Sequence, residues 1–177
     1  MPEEFYIFTD ASVIPQSQLA IGAFLILTQT DIESLCLDGK SNSHTEISKK
    51  IRTISLQTIK PNVAEIQTFL FSLRELVPHQ NPNIHVTCVT DSQTICTIMG
   101  ERRKRLEATN FCNRNGESLA HADLYKQVIQ QLDSKNIRLI KVKGHKSKKL
   151  YKDWIDEVFS LVDKKARSTL RELVNSL

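Results

Sequence analysis

Two aspartates stand in nearly the same local setting, FTDAS at Asp10 and VTDSQ at Asp91. Each follows an alternating apolar run and a threonine, and each is followed by small or polar residues. In an open α/β sheet ligands bind outside the carboxyl ends of the strands, so two strand-end carboxylates are candidates for shared chemistry. A third, Glu65, falls in the first turn of an amphipathic pattern, where exposed N–H groups and the helix dipole favour negative charge in any case. On a helical wheel it borders the apolar stripe, within reach of a sheet end. The C-terminal stretch WIDEVFSLVDKKAR adds Asp156 and Asp163, seven residues apart. That spacing puts them about 20° apart on the wheel and about 10 Å apart along the axis, so only one can easily join a compact cluster. Carboxylates gathered without a counterion repel one another, and some stay protonated. Hard divalent cations with oxygen ligands relieve that repulsion, and two of them flanking a phosphodiester stabilise both the attacking water and the leaving oxygen. The chemistry expected is metal-assisted phosphodiester hydrolysis.

Five strands and four helices are needed to position these groups. EFYIFTD and NIHVTCVTD alternate as half-buried strands, AIGAFLIL and IRTISLQTI are two more, and NIRLIKVKG is the fifth. A polar loop around DGKSNSHTE separates the second and third. The first helix is expected to be capped by Asn62, with apolar positions Val63, Ile66, Phe69, Leu70, Leu73, Leu76 and Val77, and to end at Pro78. Others are expected from after Asp91 through Met99, from Leu119 to Leu132, and from Asp153 to the C-terminus. The last has the stripe Ile155, Val158, Phe159, Val162, Ala166, Leu170 and Leu173. The order β-β-β-α-β-α-α-β-α predicts an antiparallel meander followed by parallel additions to the same sheet. The fold class is therefore α/β: a five-stranded mixed sheet, three antiparallel strands then two parallel, with helices on both faces of one domain spanning residues 1–177.

Composition narrows the setting. An apolar share of 40% and a charged share of 25% are those of a globular protein with a real core. MPEEFYIFTD lacks a basic n-region and a small-residue cleavage site, so no secretory signal is expected. No run approaches the roughly 18 apolar residues of a membrane span. Cys36, Cys88, Cys96 and Cys112 are scattered without a CxxC pair, as in a cytoplasmic protein with reduced thiols. Residues 141–177 hold ten Lys/Arg against five Asp/Glu, while residues 1–140 hold fourteen against fifteen. The excess positive charge, +4 overall, is thus concentrated at the C-terminal end and points to a polyanionic partner.

FTDAS, NVAEIQTFLFSL, CVTDSQ and VKGH occur in the order, and on the elements, of the type 1 ribonucleases H, and the chain resembles that family from residue 5 to 167. HADLYKQVIQQL is similar to the family's helix after its basic protrusion. The resemblance implies a ribonuclease H-like fold and an endoribonuclease that cleaves RNA paired to DNA, leaving a 5′-phosphate and a 3′-hydroxyl. It implies two Mg²⁺ ions, or Mn²⁺, with substrate bound. Asp10, Glu65 and Asp91 match three of the family's four metal-binding carboxylates, Asp10 bridging both ions and Glu65 placed to sense a ribose 2′-hydroxyl. His145 matches the histidine that assists proton transfer or product release. For the fourth carboxylate the VDKKAR signature selects Asp163, which follows His145 by eighteen residues. Asp156 follows by eleven, nearer the family's usual interval, and is the alternative.

Substrate contacts follow from the same resemblance. Asn62, Gln93 and Ser12 fall at polar positions expected to touch the hybrid. Arg102, Arg103, Lys104 and Arg105 in ERRKRLE occupy the place of the basic protrusion and would grip phosphates of the DNA strand. Lys143 and Lys146 flank His145 in the basic loop KVKGHKSKK. The expected partner is an RNA/DNA hybrid, with no membrane, no obligate protein partner and a monomeric state. The sequence departs from the family where VIPQSQLA replaces the Gly-rich loop after the first aspartate, where the protrusion has no tryptophan, and in the long connection through GKSNSHTE. Two other readings remain open: another nuclease of the same superfold, and a nucleic-acid-binding module that kept the fold without catalysis. Against the proofreading exonucleases stands Ser12, at the position where they carry a second acid.

Overall fold

Strand β1 (Glu4–Ile14) carries Asp10 and occupies the middle of a five-stranded sheet ordered β3-β2-β1-β4-β5. The computed structural model describes residues 3–37, 40–76 and 84–176. β2 (Leu19–Thr28) returns antiparallel to β1 through a 3-10 turn at Pro15–Ser17, and β3 (Arg52–Leu56) is antiparallel to β2. Pro15 presets the turn's φ, and Gln18 closes it in the left-handed region at φ 55. β4 (His85–Thr90) and β5 (Asn136–Lys141) add in parallel. This is the mixed sheet expected from the sequence, three antiparallel strands followed by two parallel ones. β1 does not stop at Asp10, however. β2 pairs with it as far as Ile14↔Leu19, whereas pairing with β4 ends at Phe8↔Val89. Asp10 therefore lies where β1 parts from β4, not at the end of the strand.

Among the described residues seven helices accompany the sheet: α1 (Gln29–Leu37), α2 (Lys40–Lys50), α3 (Pro61–Glu75), α4 (Gln93–Ile98), α5 (Glu101–Ala108), α6 (Ala122–Ser134) and α7 (Trp154–Asn175). The first two correct the polar loop expected between β2 and β3. Thr28 and Asp31 form a reciprocal cap that starts α1: the Asp31 carboxylate accepts from the Thr28 N–H at 2.9 Å, and Thr28 Oγ1 accepts from the Asp31 N–H at 3.3 Å. Asp38 and Gly39 lie outside the described residues, as do Val77 and Pro78 at the expected end of α3. At its start α3 has Pro61 in the first turn, so Lys60 holds the cap position and Asn62 lies inside the helix.

Strand alternation sorts the core into two layers. Phe5, Ile7, Val86 and Cys88 face α3, α4 and α6, packing on Ile66, Phe69, Ile95 and Val128. Phe8, Leu25, Leu27 and Val89 face the opposite side, against Val158, Phe159, Val162 and Ala166 of α7 and Ile32 and Ile47 of α1 and α2. Full burial of each such side chain is worth about 2 kcal/mol, so both helix layers are held firmly in register. Trp154 anchors the start of α7 edge-on to Tyr6 and Phe8. α3 approaches β2 so closely that a Cβ on Gly22 would stand 2.1 Å from Thr68 Oγ1. Among the described residues no helix is long and apolar enough to cross a membrane.

Candidate active site

Extending the Phe8↔Val89 register by two residues aligns Asp10 with Asp91. By the same alternation both follow Phe8 and Val89 onto the α7 side of the sheet. There α7 presents Asp163, one residue after buried Val162. Glu65 arrives from the other layer, in the first turns of α3, and accepts a hydrogen bond from the Ser92 hydroxyl at the end of β4. Four carboxylates from β1, α3, β4 and α7 thus share one end of the sheet.

They act on one another. Burial pushes Asp10 up to about 8, with Asp91, Asp163 and Glu65 adding to the rise and the Ala11 N–H partly opposing it. Burial also raises Asp91, with Asp163 adding, while its own N–H, His145 and Lys141 pull the other way. Glu65 is raised by burial and by Asp91, against the Ser92 hydrogen bond. Among the described residues no three His, Cys, Asp or Glu side chains form a closed metal-binding group. The carboxylates are nonetheless close enough to raise one another's pKa. Their donor set is all oxygen and suits hard cations. The cradle beneath Asp91 is tight: a Cβ on Gly144 would stand 2.1 Å from Asp91 Oδ2.

α7 separates its two aspartates by their partners. Asp163, 5% exposed, accepts from Arg167 Nη2 at 2.5 Å on Oδ2, and its Oδ1 lies 3.4 Å from His145 Nδ1. Asp156, 6% exposed, accepts from Lys146 Nζ at 2.6 Å and from the Lys152 N–H at 3.0 Å. Burial alone would raise Asp156, but those two donors and the Lys146 and Lys152 charges carry it below the ordinary carboxylate value. The charges perturbing Asp10 are those of Asp91, Asp163 and Glu65. The fold thus brings Asp163 to the cluster and leaves Asp156 with its own cations. His145 sits exposed in the turn after β5, at φ 54.

The expected substrate-contacting residues divide in the same way. Ser12 on β1 and Asn62 on α3 are partly exposed near the carboxylates, and Gln93, exposed at the start of α4, accepts from Lys141. On α5, Arg102 donates to the Tyr125 hydroxyl at 3.2 Å and lies over its ring. Arg103 forks onto Asp133 at 2.7 and 2.8 Å and also reaches Glu107. Lys104 pairs with Glu101, and Arg105 is exposed. Lys143 is exposed, whereas Lys146 is turned inward to Asp156. The sequence reading missed Ser92, Gly144 and Arg167. Ser92 had a signal, a serine just before a helical pattern. Arg167 stands four residues after Asp163, the spacing of a helical ion pair. Gly144 had none beyond being a glycine.

A model of the RNase H family matches residues 2–160. No curated protein matches the sequence. Among solved structures, the solution structure of the PFV RNase H domain is similar with a TM-score of 0.60 and 20% identity, covering 94% of this chain and 93% of that one. The foamy viral protease-reverse transcriptase in complex with RNA/DNA hybrid gives a TM-score of 0.59 and 16% identity, covering 94% of this chain and 20% of that one. The chain thus spans about a fifth of that protein's length. LC9-RNase H1, a type 1 RNase H with the type 2 active-site motif, gives 0.58 and 13%, covering 82% of this chain and 65% of that one. At these identities the likeness to each is one of fold.

Proposed function

Because the chain belongs to the RNase H family, we propose that it hydrolyses the RNA strand of RNA/DNA hybrids, with Asp10, Glu65, Asp91 and Asp163 holding divalent cations. The observation that carries this reading is the gathering of Asp10, Glu65, Asp91 and Asp163 at one end of the sheet, close enough that burial and the other three acids raise Asp10. A buried acid set held in mutual repulsion is stabilised by a hard cation, and the all-oxygen donors fit Mg²⁺ or Mn²⁺. When bound, such ions stabilise negative charge on the attacking and leaving oxygens of a phosphodiester. The chain's own residues do the rest. Asp10 stands centrally, Ser92 donates to Glu65, which would meet a ribose 2′-hydroxyl, Gly144 leaves room for Asp91, and Arg167 fixes Asp163. His145, 69% exposed and beside Asp163, is free to carry a proton between solvent and the site. Water adds to phosphorus, the bond to the 3′ oxygen breaks, and that oxygen takes a proton, leaving a 5′-phosphate and a 3′-hydroxyl. We read residues 1–177 as one such domain, acting without an obligate protein partner.

The test is cleavage of labelled RNA/DNA, RNA/RNA and DNA/DNA duplexes in parallel, with Mg²⁺, with Mn²⁺ and with chelator. Cleavage of the hybrid's RNA strand only when a divalent ion is present is expected. Asp10→Asn should abolish it while the protein still melts cooperatively. A folded wild-type protein that binds hybrid but never cuts it would make this a binding module, and an Asp10→Asn variant as active as wild type would remove the site assignment.

A further inference from the structure

Basic residues gather in two regions, on α5 and on the connection from β5 to α7, and are held in opposite ways. On α5, Arg102 is engaged with Tyr125, and Arg103 is bound by Asp133 and Glu107. For Arg103 to bind a phosphate, those bonds must break. Lys104 has a partner in Glu101, though both are largely exposed and such a pair is weak. On the connection from β5 to α7 the arrangement is reversed, for there the inward groups are paired and the outward ones are not. Lys146 Nζ donates to Asp156 Oδ1 at 2.6 Å, the Lys152 N–H to Asp156 Oδ2 at 3.0 Å, and the Tyr151 hydroxyl to Ser160 Oγ at 2.5 Å. These three bonds pin the connection onto α7. Between and before them Lys143, Lys148 and Lys149 are exposed, and among the described residues they have no acidic partner. The other end of the connection is fixed at the carboxylates, with Gly144 against Asp91 and His145 against Asp163.

We propose that residues 143–152 form a preorganised cationic strap that grips the sugar–phosphate backbone of a nucleic-acid duplex beside the carboxylates, and that this strap contributes more to electrostatic binding than α5 does. The proposal rests on the hydrolase reading of the cluster and adds to it which surface holds the substrate. Asp156 is then a positioning residue, since it ties both ends of the lysine-rich turn to α7. A strap already ordered loses little entropy when phosphate arrives, whereas Arg102 and Arg103 on α5 must first give up existing partners.

Binding of a fluorescent RNA/DNA duplex, followed across a salt series in chelator so that no cleavage occurs, tests this. Each lysine that neutralises a phosphate adds about 0.9 to the slope of log K against log salt, so changing Lys143, Lys148 and Lys149 together to Gln should lower the slope by about 2.7. Changing Arg103, Lys104 and Arg105 to Gln should lower it by less. Equal slopes throughout, or the reverse ranking, would overturn the proposal. RNA/RNA and DNA/DNA duplexes should lose slope alike, because the phosphate is what they share, and a loss confined to one duplex would also overturn it. Asp156→Asn keeps every lysine but frees the strap. At a temperature where its melt shows it folded, binding should weaken with the slope unchanged; unchanged affinity would mean that the strap is not held this way. Should wild type bind and cleave hybrid while the slopes fail to rank as stated, the strap alone is wrong. Should folded wild type neither bind nor cleave, the hydrolase reading fails first.

Discussion

Asp156 and Asp163 share a helix, a face and a depth of burial, yet they stand among different neighbours. Asp156 is surrounded by donors, and its lowered pKa marks a carboxylate whose charge is already satisfied. Asp163 has one guanidinium and an exposed imidazole, and its other neighbours are acids that it pushes upward. Burial therefore does not by itself set how a carboxylate is held. Each aspartate has a cation of its own, Lys146 for Asp156 and Arg167 for Asp163. Only Asp163 also stands among acids, adding to the rise of Asp10 and Asp91, whose burial the nearby cations do not offset.

The sharpest way to break this comparison is to neutralise each acid in turn. Removing one member of a charge-stabilising set at a phosphodiester costs several kcal/mol in the transition state, so Asp163→Asn should lower kcat by about 10³-fold. Its folding should survive, since the change also removes repulsion from Asp10 and Asp91. Asp156→Asn should reverse the emphasis. Breaking a buried pair costs about 3–5 kcal/mol, and less here because Lys146 keeps 16% of its side chain exposed, so a loss of about 2 kcal/mol is expected. Its kcat should exceed that of Asp163→Asn by at least about 10²-fold. Steady-state cleavage and chemical denaturation of both variants provide the check. Equal losses of kcat would erase the distinction.

The two regions should also respond to pH with opposite signs. Asp10 has a folded-state pKa raised from 3.8 to about 8, so its contribution to stability is complete below 3.8 and is lost as pH rises through about 8. Asp91 and Glu65 are raised and add in the same direction. Asp156 is lowered from 3.8, so its contribution is present above that value and is lost as pH falls through its folded-state pKa. The metal-free protein should therefore lose Tm from about pH 4 to about pH 8. Asp10→Asn should flatten that decline, and Mg²⁺ should raise Tm most at its alkaline end, where the carboxylates are ionised. A metal-free Tm that climbs over this range would show that the acids do not sense one another.

The mixed sheet was legible in the sequence; where each pairing stops, and what the loops fold back to meet, was not. Asp10 and Asp91 stood out as candidates because each ends an alternating run, and α7 was expected because its apolar stripe repeats over five turns. The alternation could not show that β1 continues to Ile14, since only pairing with β2 sustains it. Nor could composition reveal α1 and α2, whose described apolar contacts are few and whose start depends on the Thr28–Asp31 cap. Asp156 was an open alternative for a related reason. Its partner Lys146 is ten residues away across a loop, and helical periodicity carries no information about what a loop folds back to meet. The acidic run in the sequence looked uniform; the loop made it two different things.

Ser92 allows a finer test, because it does for Glu65 with a neutral hydroxyl what Lys146 does for Asp156 with a charge. The hydroxyl donates to Glu65, while the same oxygen accepts from the Ile95 N–H at 3.3 Å and caps α4. A neutral donor offsets burial only in part, so Glu65 stays raised where Asp156 is lowered. Ser92→Ala should cost about 1 kcal/mol of stability through the lost cap. It should also push Glu65 further up and weaken Mg²⁺ binding by about tenfold, since a ligating carboxylate must be ionised and oriented. Calorimetric titration of Mg²⁺ beside a denaturation curve separates the two effects. Lost stability with unchanged Mg²⁺ affinity would reduce Ser92 to a helix cap, and the parallel between the two donors would end there.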